Sequence, residues 1–104
     1  MVANDVFKAL ADPTRRAIFE KLAEGGMNAT ALRDGMEISQ PAVSQHLAVL
    51  RAAGLVREQR LGRFVNYEVD PNGVAGIGRW LERYRAYWPE RVNDLRNVLK
   101  EMDQ

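Results

Sequence analysis

Residues 38–57 contain no aspartate or glutamate, and within them runs Ser39-Gln40-Pro41-Ala42-Val43-Ser44-Gln45-His46-Leu47-Ala48. Wound as an α-helix at about 100° per residue, this run turns Val43, Leu47 and Leu50 to one side. Pro41, Ala42, Ser44, Gln45 and Ala48 then lie on or beside the opposite face. The chemistry open to that face is close-range hydrogen bonding. A glutamine amide matches the major-groove edge of adenine, a serine hydroxyl suits a base or a phosphate, and an alanine methyl can touch a thymine methyl. Exposed helix faces usually carry lysine and glutamate; this one carries neither. Ser39 is placed to cap the helix, and Gln40, at its start, can reach a base or the backbone. The candidate DNA contacts here are Ser39, Gln40, Ala42, Ser44 and Gln45. His46 flanks the apolar stripe. A packed histidine with one bonded nitrogen is the first reading and a phosphate contact the second, so His46 joins the candidates.

A second group follows directly. Arg57, Arg60 and Arg63 surround a single acid, Glu58, near a glycine-containing turn at Leu61-Gly62. A two-stranded ribbon of this kind can lie over phosphates or enter a minor groove. Arginines also keep a solvated edge hairpin from aggregating. Placement immediately after a DNA-reading helix favours contact with DNA. Arg15 and Arg16 open an earlier helix, and pairing with Asp12, Glu20 or a neighbouring helix is preferred for them over a phosphate contact. The formal net charge of the 104 residues is only +1, so the evidence for a nucleic-acid partner is this local distribution and not the total.

The elements that position these residues are legible from punctuation. Asn4 or Asp5 can cap a first helix, and Asp12-Pro13 starts a second over about 13–23 that Gly25-Gly26 ends. Asn28 or Thr30 caps a short third helix, Gly35 stops it, and 36–38 make the turn. The fourth helix begins after Ser39 and closes on Ala52-Ala53-Gly54 with a left-handed glycine. Strands are expected over 55–60 and 63–69, then a break at Asp70-Pro71-Asn72-Gly73. Beyond it, Ile77, Leu81, Tyr84, Trp88, Val92, Leu95, Leu99 and Met102 keep helical spacing. They predict a long amphipathic helix over 74–103, kinked or broken near Pro89. A seam that long exceeds the needs of one small domain, and a second copy is its simplest partner.

Other chemistries lack their residues. There is no cysteine and one histidine, so thiolate and histidine metal sites are not expected. No nucleophile elbow or phosphate loop occurs, and no catalytic residue or cofactor is expected. Gly73, Gly76 and Gly78 reverse the dinucleotide spacing and lie outside a βαβ unit; they fit a loose helix start or a close helix contact. Trp80, Tyr84, Tyr87 and Trp88 read as packing or interface aromatics in preference to a ligand stack. No secretory signal or bilayer-length apolar stretch is visible, which fits a cytoplasmic protein.

The runs FKALADPTRRAIFEKLAEG, ISQPAVSQHLAVLRAAGLVREQRLGRFVNYEVDP and WLERYRAYW resemble the ArsR family of winged-helix transcriptional regulators, over about residues 6–99. The resemblance implies one winged helix-turn-helix domain over 1–104, mainly α with a small β-hairpin. The helix-turn-helix is at 28–54, the wing at 55–69 and the dimerisation helix at 74–103. It implies a homodimer built on the first and last helices, with Val6, Phe7, Leu10, Ile77, Trp80, Leu81, Tyr84, Trp88, Val92, Leu95 and Leu99 in the interface. It implies binding to a palindromic operator on double-stranded DNA, usually as a repressor. The family's thiol sensors carry a C-x-C pattern where this chain has Asn28-Ala29-Thr30-Ala31-Leu32, and its last-helix metal sensors use histidines that are missing here. The chain looks more like the metal-independent branch. A winged-helix module that binds another protein through the aromatic C-terminal segment is the alternative.

Overall fold

The computed structural model describes residues 2–89. Five helices and one hairpin follow in the order α1 (Val2–Ala11), α2 (Pro13–Glu24), α3 (Ala29–Arg33), α4 (Gln40–Ala52), β1 (Val56–Leu61), β2 (Phe64–Val69) and α5 (Pro71–Glu82), with a short 3-10 turn at Arg85–Tyr87. The fold is mainly helical with a two-stranded antiparallel wing, as expected.

Each start has a local cause. Asp12 accepts the Arg15 N–H at 3.0 Å and Pro13 occupies the first turn of α2. Asn28 caps α3 through the Ala31 N–H at 2.8 Å, and Ser39 caps α4 through the Ala42 N–H at 3.2 Å. α4 ends as its glycine predicts: Gly54 has φ +78°, its N–H donates to Arg51 O, and the Leu55 N–H donates to Leu50 O, both at 3.0 Å. These two bonds close a Schellman turn, with Leu50 and Leu55 both fully buried.

The core is apolar throughout. Val6, Ala9, Ile18, Leu22, Leu32, Val43, Leu47, Leu50, Ala53, Leu55 and Val56 are buried, and no polar or charged residue is buried among the described residues. The hairpin joins this core through one face. Pairing Val56 with Val69 and Leu61 with Phe64 places Val56, Glu58, Arg60, Val65, Tyr67 and Val69 on the core side. Met27 and Tyr67 exchange backbone bonds at 3.0 and 2.9 Å, which pins the link between α2 and α3 to β2.

Four expectations need correction. α1 begins at Val2, ahead of Asn4 and Asp5. The hairpin turn is Gly62-Arg63, one residue later than Leu61-Gly62, because Gly62 at φ +65° takes the first central position of a two-residue turn whose twist matches the strands. α5 begins at Pro71, since Asp70 caps it by accepting the Asn72 N–H at 3.0 Å; the supposed break is a second Asp-Pro helix start. α5 also stops at Glu82, well short of the long helix expected over 74–103. Pro89 forces Trp88 into extended backbone (φ −70°, ψ 143°), and the chain before it tightens into the 3-10 turn. The rest of that expected helix, with Val92, Leu95 and Leu99, lies outside the described residues.

Candidate nucleic-acid interface

The α3–α4 pair is held from behind by cations on helix ends. Lys21 of α2 donates to Ala31 O and Leu32 O, both at 3.2 Å, and to Asp34 O at 2.6 Å, the last carbonyls of α3. Arg33 Nε donates to Ile38 O at 2.8 Å and braces the turn. Arg15 and Arg16 do the same for α1: Arg15 Nε reaches Ala9 O at 2.6 Å and Arg16 reaches Leu10 O at 3.0 Å. A guanidinium on the negative end of a helix satisfies orphan carbonyls and complements the dipole. Both arginines therefore serve a neighbouring helix, the preferred expectation. The Arg15 N–H also holds the Asp12 carboxyl below its ordinary pKa, more than the partial burial raises it.

On α4, Pro41, Ser44, Gln45 and Ala48 are exposed while Gln40 and Ala42 are half-buried. The small and amide residues share one surface, opposite Val43, Leu47 and Leu50. Ser39 is committed to its cap. His46 is brought elsewhere. Its ring is half-buried with Nδ1 3.4 Å from Arg15 Nη1, which fits the first reading of a histidine packed against the scaffold.

The wing arginines differ from one another. Arg57 lies at the base of the ribbon, on its outer face, paired with Glu68 at 2.7 Å. Arg60 lies on the core-side face at 3.5 Å from Glu58, which also binds Arg51 of α4 at 2.8 Å. Arg63 sits exposed in the turn and makes no ion pair among the described residues. Glu58 and Glu68 thus set the wing's electrostatics, and Glu58 ties the ribbon to α4. Strand register sets Arg57 against Glu68, alternation along β1 puts Arg60 on the face of Glu58, and the approach of α4 brings Arg51 to it. An open groove of about 560 Å³, lined by Ala48, Arg51, Ala52, Val56, Arg57 and Glu58, separates α4 from the ribbon base.

Behind these elements lies an aromatic row. The Phe7 and Trp80 rings meet edge-on at 4.9 Å, and Trp80 and Tyr84 follow at 4.9 Å. Phe7, Val74, Leu81, Tyr84 and Tyr87 remain exposed, the last at 85%. Val6 does not belong to this surface: at 1% exposure it is spent on the chain's own core, and Leu10 and Ile77 pack partly against the same core. Among the described residues there is no cluster of potential metal ligands, and no helix is long and apolar enough to cross a membrane.

Known proteins share this arrangement. A family model described as a helix-turn-helix domain matches residues 10–59. The HTH-type transcriptional regulator Rv2034 of Mycobacterium tuberculosis is 45% identical over 78 residues, covering 75% of this chain and 73% of that protein. The transcriptional repressor SdpR of Bacillus subtilis is 36% identical over 78 residues, covering 75% and 87%. An ArsR-like transcriptional regulator from Rhodococcus superposes with a TM-score of 0.74 at 31% identity, covering 93% of this chain and 92% of the other. The homodimeric winged helix-turn-helix DNA-binding domain of a possible ArsR-family regulator from Mycobacterium bovis superposes with a TM-score of 0.67 at 26% identity, covering 82% and 79%.

Proposed function

The chain belongs to the ArsR family of winged helix-turn-helix transcriptional regulators, and from that premise we propose that it is a homodimeric repressor of a palindromic operator that needs no metal. The observation that carries this reading is the outer face of α4. Ser44 and Gln45 project from a helix that is capped at Ser39, closed at Gly54 and free of acids along its length. Gln45 reads a base edge, Ser44 a base or phosphate, and the small Ala42 and Ala48 let the helix sit deep in the major groove. Arg63 supplies a backbone contact from the wing. Repression is supported by the similarity to the SdpR repressor, and homodimerisation by the exposed aromatic row and the homodimeric structural relative. Independence from metal is supported by the chain's lack of cysteine and its single histidine, already turned to Arg15.

Two copies related by a two-fold axis place two α4 helices on half-sites about one helical turn apart, or a multiple of it. Purified protein titrated against the DNA upstream of its own gene, with chelator present, should give a footprint of two inverted half-sites and two chains per site. Equal binding to unrelated duplex, or a requirement for added metal, would overturn the reading.

A further inference from the structure

The outer face of the ribbon carries three cross-strand pairs of different chemistry. At the base, Arg57 is neutralised by Glu68; next, Gln59 stands opposite Asn66; at the tip, Leu61 stands opposite Phe64. Leu61 is 53% exposed and Phe64 68%. The core lies against the other face, so this apolar pair has no packing role in it. An open apolar pair at a hairpin tip invites aggregation unless it has a use. Between the two residues sits Arg63, exposed and without an ion pair among the described residues. The ribbon is held to α4 by the Arg51–Glu58 pair at 2.8 Å.

We propose that the wing tip is a minor-groove wedge in which Phe64, backed by Leu61, packs against a base step flanking the half-site. This rests on the reading of α4 as the DNA-contacting helix. DNA is the occupant because the patch is continuous with that surface through the ribbon, and because the turn beside it presents a guanidinium to phosphate. Gln59 and Asn66, one pair further in, carry amides that suit groove-floor acceptors and sugar oxygens. A wedge of this kind reads deformability. It favours a pyrimidine–purine step, which unstacks readily, over a stiff A-tract, at a position where α4 makes no contact. The protein would thus recognise its operator twice: by hydrogen bonds under α4 and by flexibility under the tip.

The test uses full-length protein and its footprinted duplex with 2-aminopurine in the flanking step. Wild-type binding should raise 2-aminopurine fluorescence and favour a TA or CA flank over an A-tract. Phe64→Ser should abolish both and weaken binding about tenfold, the scale of exposing one aromatic ring, with the salt dependence unchanged. Phe64→Thr, which keeps strand propensity, should behave likewise. Arg63→Gln should instead flatten the salt slope by about one and keep the fluorescence change. Wild-type binding with neither fluorescence change nor flank preference would overturn the wedge, as would Phe64→Thr that binds and reports like wild type. Failure of the wild type to prefer its own upstream DNA at all would overturn the underlying reading, and shows in the first titration.

Discussion

Gly73 allows a prediction whose sign turns on one atom. It is buried in the first turn of α5, where a Cβ would collide with the Gly54 carbonyl oxygen and stand 2.8 Å from its carbon and 3.1 Å from Leu55 Cα. All three are backbone atoms of the turn that closes α4. That turn is fixed on both sides: the Leu55 N–H donates to Leu50 O at 3.0 Å, and Leu55 O accepts from the Asp70 N–H at 2.8 Å. It has little room to yield, so Gly73→Ala must push α5 away. Overpacking costs about 1–3 kcal/mol, and backbone against backbone belongs near the top of that range. Alanine returns about 1 kcal/mol of helix propensity. The net expectation is a loss of about 2 kcal/mol. Gly76→Ala, in the same helix, meets only the flexible end of Arg79 at 3.8 Å and should gain about 0.5–1 kcal/mol. Urea unfolding of both variants at one protein concentration measures the difference, since the proposed dimer would add its own concentration-dependent stability. A Gly73→Ala protein as stable as Gly76→Ala would refute the packing argument.

Further outcomes follow from the charge pairs and the aromatic row. Glu68→Gln releases Arg57 from its 2.7 Å pair, so affinity for any duplex should rise and the salt slope steepen by about 0.9; an unchanged slope would show that Arg57 does not reach DNA. Asp12 has a lowered folded pKa, so its contribution to stability is complete above the ordinary aspartate range and is lost as pH falls through the folded value. Asp12→Asn keeps a capping side chain without the titration, and its unfolding free energy should show a shallower acid decline than wild type. Leu81→Arg places a charge on the exposed row without touching the core, and should raise the dimer dissociation constant by about a hundredfold or more in sedimentation experiments. A variant that remains dimeric at micromolar concentration would move the interface elsewhere.

What the sequence disclosed and what it withheld divide by range. Asp12, Asn28, Ser39, Gly35 and Gly54 act within a turn of where they stand, and each does what its type predicts. The outer face of α4 was legible for the same reason, because helical periodicity alone sorts Ser44 and Gln45 from Val43 and Leu47. Asp70 obeyed the same rule as Asp12 but was hidden inside a turn-like Asp-Pro-Asn-Gly string. Glu58 and Glu68 acquire meaning only from strand register and the approach of α4. Lys21 and Arg15 reach carbonyls on other helices, a tertiary relation that no local pattern encodes. Helical phase tells which side Val6 faces and not what stands there, and the structure buries it in the chain's own core. Gly73 had a stated possible role in close contact, and the structure supplies the partner.

The central claim is that Gln45 reads a base from a properly positioned α4. Anisotropy titrations of wild-type and Gln45→Ala protein against the footprinted operator, a scrambled duplex and single base-pair substitutions test it most directly. Wild type should bind the operator about a thousandfold or more tighter than the scrambled duplex. One adenine position should cost about 1–3 kcal/mol when changed, and Gln45→Ala should erase that penalty there and nowhere else. Equal affinity of the wild type for operator and scrambled DNA, or a uniform loss across all duplexes on removing Gln45, would contradict the account.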